Sequence, residues 1–406
     1  MIVKDICITT NKESAILSAK CKIRKFGWDT IYFKVNVSKQ VYLAEDASPF
    51  AVALLLPAMK QQEALIIKGT ISKRLYDGMH AIMSEVATWD IGLQPVDIIV
   101  DKIVPDDYAP QKTACFFSGG VDSFYTYLKH KNDHDPKGEI DSFILVNNAF
   151  DVDPRNKRLW QDTIASIQAV ADAESIELVL VESNINTHEL LAPIITWDYL
   201  HGACLAATGL ALRKTYRQIY ISSTHSEEEQ IPWGSNLALD ANWSTEHTVF
   251  THDGSETTRL NKVITQIATS PLALQYLRVC YMNTEGAYNC GKCDKCMRTM
   301  VNLYIGGALA SSRTLPNELD IERIANTPTI RGKSGGIFHN ENLTALQEKN
   351  LDVPLQAALR HSLQITKALD EPRKPFREVI IRIDHDYCKG YVYVFLSNYF
   401  GKRFTI

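Results

Sequence analysis

Two stretches of the chain combine residue types and spacings that can do chemistry. The first is Ser118-Gly119-Gly120-Val121-Asp122-Ser123, which directly follows the apolar run Thr113-Ala114-Cys115-Phe116-Phe117. Helical periodicity then takes over from Asp122 to Lys129, with Phe124 and Leu128 on one face. Strand, glycine turn and helix together make an anion site. The two glycines let the backbone approach closely and take φ > 0. Successive N–H groups then point into one concavity, and the helix N-terminus adds a favourable dipole. Ser118 and Ser123 supply hydroxyl donors. Asp122 is itself an anion and is expected to hold the loop or to approach a metal riding on a polyphosphate. The alternative is a glycine turn that only joins a strand to a helix. The completeness of the hexapeptide and its placement favour phosphate. The other common phosphate loop, G-x-x-x-x-G-K-[ST], does not occur in the chain.

The second stretch is Cys280-x9-Cys290-x2-Cys293-x2-Cys296. Four soft thiolates in a closed set favour tetrahedral Zn²⁺, and four protein ligands leave no open position, so the expected role is structural. Lys292, Lys295 and Arg298 lie beside the set in sequence and are expected to offset its formal negative charge. Met297 to Tyr304 is expected to continue as a helix that anchors the knuckle. Free buried cysteines, an Fe–S cluster and a redox CxxC pair are the alternatives.

Ser-Gly-Gly-Val-Asp-Ser resembles the signature of the PP-loop ATP pyrophosphatases, a superfamily that includes asparagine, GMP and NAD synthetases and tRNA thiolation enzymes. The resemblance implies that Ser118 to Ser123 bind the pyrophosphate of ATP with Mg²⁺, and that Val146 and Asn147 flank the adenine. It also implies that ATP is cut to AMP and pyrophosphate as a substrate is adenylated. The loop followed by Cys-Gly-Lys-Cys-Asp-Lys-Cys is similar to the 7-cyano-7-deazaguanine synthase family, whose fourth cysteine lies a little upstream, as Cys280 does. Arg259-Leu260-Asn261-Lys262-Val263-Ile264 resembles that family's lysine-bearing helix, which implies that Lys262 touches the phosphates or the acyl-adenylate. The likeness covers about Thr113 to Gly306. Asn147-Asn148-Ala149-Phe150-Asp151-Val152-Asp153 stands where the family has a Tyr-Gly-Gln-Arg-His-like stretch. Ile231-Pro232-Trp233-Gly234-Ser235 replaces its Pro-Asp-Cys loop. Enlarged relatives of this synthase serve anti-phage defence or lie near biosynthetic clusters.

These residues must be positioned by a scaffold, and the pattern predicts one. Runs of strand length at Thr113–Phe117, Ser142–Val146, Ile176–Val181 and Gln218–Ser222 alternate with helical periodicity. Trp160, Ile164, Ile167 and Ala171 share one helical face, as do Leu200, Cys204, Ala207 and Ala211. The expected fold class is therefore α/β: a doubly wound, Rossmann-like parallel sheet carrying the zinc knuckle. Three parts are expected. Residues 1–110 form an N-terminal α+β accessory domain, with β-type runs such as Thr30–Val35 and a helix near Lys73–Thr88. Lys102 to Gln111 reads as a linker to residues 111–308, the ATP domain. Residues 309–406 are a mainly helical extension, with an amphipathic helix near Leu355–Leu369 and an apolar-aromatic run, Tyr391–Leu396, that fits either a strand or a helix.

In a parallel sheet, ligands bind at the carboxyl ends of the strands. His201, His225, Trp233, Asp240, Trp243 and Glu246 are therefore candidate wall residues for a planar substrate. The histidines also suit a helix cap or the surface, the tryptophans suit packing, and Glu227-Glu228-Glu229 suits a solvated turn.

Composition bounds the rest. The 406 residues carry a net charge of −4, no footprint of a nucleic-acid binder. Nothing resembles a signal peptide or an eighteen-residue apolar span. Nine cysteines, four of them crowded together, fit a reducing cytoplasm better than a disulfide framework. The expected activity is AMP-forming adenylation of a carboxylate, on a small, deazapurine-like molecule or a protein acceptor. Displacement of AMP by ammonia or an amine follows. Residue 2 is Ile, so no N-terminal cysteine glutaminase supplies the ammonia. A homodimer is compatible with this reading. The rivals are sulfur transfer to a nucleic-acid base and a nucleotide-binding scaffold without turnover.

Overall fold

The computed structural model describes residues 1–24, 27–132, 138–147, 152, 156–229, 231–283, 286–329 and 336–370. The run Tyr391–Leu396, Asn148–Asp151 and Asp153 lie outside the described residues. In chain order the strands are β1 (Ile2–Thr10), β2 (Ser14–Arg24), β3 (Gly27–Asn36), β4 (Leu65–Ser72), β5 (Ile98–Val104), β6 (Lys112–Phe116), β7 (Ser142–Asn147), β8 (Glu177–Ser183), β9 (Tyr216–Ser222) and β10 (Val249–Asp253). The helices are α1 (Ser48–Gln61), α2 (Lys73–Ala87), α3 (Val121–Asn132), α4 (Lys157–Glu174), α5 (Trp197–Ala211), α6 (Arg259–Lys262), α7 (Pro271–Tyr276), α8 (Asp294–Ile305), α9 (Ile321–Asn326), α10 (Ile337–Glu348) and α11 (Val353–Asp370).

All ten described strands join one sheet in the order β10-β9-β6-β7-β8-β3-β2-β1-β4-β5. The run from β10 to β8 is parallel throughout. In that run the first strand, β6, lies in the middle, with β7 and β8 on one side and β9 and β10 on the other, a doubly wound arrangement. The first three strands add an antiparallel meander, joined to the parallel run where Phe33 pairs with Ser183 and Lys34 with Glu182. A second parallel set, β1-β4-β5, closes the far end. Segments 1–110 and 111–308 thus share one continuous sheet. The expected linker contributes its first residues to β5, and its buried Asp106 accepts from Arg213 Nε at 3.1 Å.

Strand periodicity explains why both faces are covered. In β6, Ala114 and Phe116 face a core shared with α1 and α5. Cys115 and the adjoining Phe117 face the opposite core, shared with α3, α4 and α8. Helix α1 is buried on nearly every side, which is why its sequence is apolar all round. Leu54, Leu55 and Leu56 are fully buried, each contributing roughly 2 kcal/mol. Helix α4 starts where the Asn156 side chain accepts from Leu159 N–H, and ends where Ser175 takes a left-handed conformation. A third cluster, including Met297, Val301, Leu346, Leu355 and Leu359, packs the C-terminal helices against α8. No helix among the described residues is long and apolar enough to cross a membrane.

Candidate phosphate site and metal centre

The glycine loop leaves the carboxyl end of β6, beside the carboxyl end of β9. Here the chain turns one way to β7 and the other way to β10, so the connections diverge and open a crevice. Gly119 has φ +74°, a conformation that suits glycine. The first helical bond of α3 runs from Phe124 N–H to Gly120 O at 3.0 Å. The amides of the preceding turn therefore stand at the open end of the helix. Ser123 Oγ turns back to Gly120 O at 3.1 Å and Ser118 remains partly open. Val121 is buried in the core under the loop. Val146 and Asn147 sit at the end of β7, the neighbouring strand.

Asp122 is the hub of the charges. Arg259 Nη1 donates to its Oδ2 at 2.8 Å, and Lys262 Nζ lies 3.6 Å from its Oδ1. Burial alone would raise this carboxyl, but Arg259 and Lys262 prevail and hold it below the usual carboxylate range. Lys262 is buried and donates from Nζ to the Ser223 carbonyl at 2.7 Å. Desolvation lowers its ammonium, with Asp122 pulling the other way. Arg298 is drawn down to about 10, first by burial and then by Arg259. Two basic side chains, Arg259 and Lys262, thus meet on one carboxylate beside the loop, and the charge of Arg298 adds to the positive field there. Arg259 and Lys262 stand three residues apart on α6, on one face, and the helix runs on as a π-turn, Val263–Ile267.

Sequence reasoning named Lys262 but assigned no such part to Arg259, and placed Arg298 beside the cysteines. Arg298, two residues beyond Cys296, lies 3.6 Å from Asp294 and over the Phe338 ring at 4.1 Å. Phe338 comes from α10, and Arg259 sits over the same ring at 5.8 Å. Also on α10, Glu341 accepts from the Leu260 N–H at 2.9 Å. No motif marks Phe338 or Glu341, because their partners lie far away in sequence.

The four cysteines converge. The sulfurs of Cys280, Cys290, Cys293 and Cys296 all lie within 4.8 Å of one another. Cys280 and Cys293 are 3.9 Å apart, Cys290 and Cys296 4.0 Å. A tetrahedral Zn²⁺ with bonds near 2.3 Å needs sulfurs roughly 3.8 Å apart, so the set fits a metal such as zinc. Backbone amides of Asn283, Lys292 and Cys293 donate to the sulfurs. Cys293 caps α8, the expected anchoring helix. Gly291 has φ +66°, and a Cβ there would stand 2.6 Å from Pro316.

The remaining candidates separate into two groups. Trp243 is fully buried packing. Glu246 accepts from Ser72 Oγ and from the Arg74 and Asp106 amides, so it ties α2 to the core rather than facing a substrate. Glu227 and Glu228 are exposed, whereas Glu229 turns back to His225 Nδ1 at 3.1 Å. His201 lies in the second turn of α5 rather than at its start, against Trp233 at 5.1 Å. Burial pushes it down to about 4, so it is neutral at physiological pH. Trp233, His225, Ser223 and His252 line a narrow cleft enclosing about 40 Å³. His252 was not singled out in the sequence. Its Nδ1 lies 2.8 Å from Oδ2 of the fully buried Asp240.

No family model, curated protein or solved structure matches the chain. A functional reading therefore rests on the residues and their geometry.

Proposed function

We propose that the chain is an adenylating enzyme of the PP-loop type, which cuts ATP to AMP and pyrophosphate and resembles the 7-cyano-7-deazaguanine synthase branch. One observation carries this reading. The loop Ser118–Ser123 lies at the strand-order switch, with Arg259 and Lys262 meeting on Asp122. Such a site suits a polyphosphate.

In this reading the amides of the loop receive the β- and γ-phosphates. A substrate carboxylate oxygen attacks the α-phosphorus, and the bond to the bridging oxygen breaks. Lys262 and Arg259 stabilise the charge that gathers on the departing pyrophosphate. Val146 and Asn147 line the adenine side. Asp122 is engaged by two cations, so Mg²⁺ enters with the nucleotide rather than on a prebuilt protein site. Ammonia or an amine then displaces AMP, making the protein a cytoplasmic C–N ligase for a small, deazapurine-like or protein-linked acid. Zn²⁺ in the four-cysteine centre is structural. Convergence of all four sulfurs disfavours the sulfur-transfer alternative, which needs a cysteine free to carry a persulfide.

The test is product analysis. Purified protein with Mg·ATP, ammonium chloride and a deproteinised small-molecule extract is expected to form AMP and pyrophosphate in equal amounts. Accumulation of ADP in place of AMP would overturn the reading.

A further inference from the structure

We infer that Asp240 and His252 form a carboxylate–imidazole dyad, and that His252 is the general base for the nitrogen nucleophile in the second half-reaction. The inference rests on the adenylation reading above.

The dyad has the geometry of an oriented base. Asp240 lies in the loop before β10, with no exposed surface. Its Oδ2 accepts from Ser235 Oγ at 2.6 Å and lies 2.8 Å from His252 Nδ1. A carboxylate can only accept, so Nδ1 carries the proton and Nε2 keeps its lone pair. The Nδ1 corner faces the buried carboxylate, and His252 is one of the residues that line the cleft. Ser235 is not the nucleophile of a triad. It donates to the same carboxylate oxygen and lies 3.4 Å from Nδ1, on the wrong side of the imidazole.

The cleft has the right size, charge and place. Open on one side and with a volume of about 40 Å³, it has room for a small group such as ammonium. Glu227 and Glu229 at its lining attract a cation such as ammonium. Ser223, which also lines it, is the residue whose carbonyl receives Lys262. The amine cleft and the phosphate cations therefore meet at the end of β9. His225 joins them a second way, lying against Trp233 at 5.6 Å and stacked on Phe338 at 5.6 Å.

The chemistry balances. Ammonium or a primary ammonium enters the cleft and gives one proton to His252 Nε2. The freed nitrogen lone pair attacks the acyl carbon of the adenylate and a C–N bond forms. The second proton that the nitrogen must then lose passes to solvent. The C–O bond to AMP breaks, and its electron pair leaves on the AMP oxygen. The imidazolium, held by Asp240, returns its proton to solvent. No oxidant or metal is required.

The test uses the full-length protein with Mg·ATP and a deproteinised small-molecule extract, and compares ammonium chloride with hydroxylamine. Hydroxylamine is unprotonated at neutral pH and needs no deprotonation before it attacks. His252→Gln and Asp240→Asn are each expected to lower ammonium-dependent amide formation at least tenfold. Pyrophosphate–ATP exchange and hydroxylamine-dependent AMP release should stay within about twofold of wild type. Preserved exchange shows that the variants fold. Equal activity of His252→Gln and wild type with ammonium would overturn the dyad alone. Equal loss with both nucleophiles would also overturn it, because the residue would then be structural. If wild type itself makes no AMP, the adenylation reading fails and takes the dyad with it.

Discussion

The backbone N–H of Arg278 donates to the carbonyl oxygen of Gly119 at 2.8 Å. This bond splices the glycine loop to the segment that ends on Cys280. The segment is held in turn by Asn289, whose side-chain oxygen accepts from Val279 and Cys280 amides and whose amide nitrogen donates to Leu277 O. The four-cysteine centre therefore sets the position of the strip that braces the phosphate loop.

A consequence is that the four-cysteine centre and the glycine loop are linked. Cys293→Ser is expected to reduce bound zinc from one per chain to well below one by elemental analysis, and to lower the melting temperature by several degrees. Pyrophosphate release should fall with zinc content. Full activity in metal-free, folded protein would break the link.

Asp122 is expected to matter for stability as well as turnover. Asp122→Asn leaves Arg259 and Lys262 as buried like charges without their shared carboxylate. The expected cost is about 3 kcal/mol in urea unfolding, with AMP formation falling at least about a hundredfold. An unchanged urea midpoint would mean that the cations find other partners.

Acid should loosen the end of β10. Asp253 is held down to about 2: burial opposes its charge, but the hydrogen bond from His130 and the charge of Lys129 prevail. A carboxyl whose folded value is depressed stabilises the fold above its ordinary value, and that contribution is lost as pH falls through about 2. At pH 7, Asp253→Asn should cost roughly 2 kcal/mol. The gap to wild type should close as pH falls from about 4 towards 2. A gap that stays constant over that range would show that the carboxylate charge is not the cause.

Gly202 of α5 touches the loop that carries Trp233. A Cβ there would stand 1.9 Å from the Gly234 carbonyl oxygen, which is backbone and cannot swing aside. Gly202→Ala is expected to cost about 1–3 kcal/mol and to displace the loop. It should lower nitrogen-dependent turnover more than pyrophosphate–ATP exchange. A crystal structure of the variant would show the displacement directly.

Much of the parallel sheet was legible because its signals are local. Strands β6 to β9 read as apolar runs, and α2, α4, α5 and α11 read from periodicity. The four-cysteine centre and the Ser118–Ser123 turn read from spacing within a few residues of each other. β1, β2 and β10 were harder. They are short or mixed in polarity, and pairing partners rather than composition decide them. Helix α1 is apolar on every face, so no period marks it. Phe338, Glu341 and the part played by Arg259 were hidden because tertiary packing brings α6, α10 and Asp122 together. His252 was hidden because the carboxylate that orients it lies on another element.

The seam between β3 and β8 sets an order of events during synthesis. Residues 27–36 leave the ribosome with one side of β3 unpaired, and only β8 covers it. Until residue 183 has emerged, the N-terminal meander presents an open sheet edge with buried-type residues such as Phe33 beside it. Such an edge recruits any nearby strand. Slow translation between β3 and β8 therefore exposes the nascent chain to aggregation, and a chaperone that shields this stretch should raise the yield of folded protein.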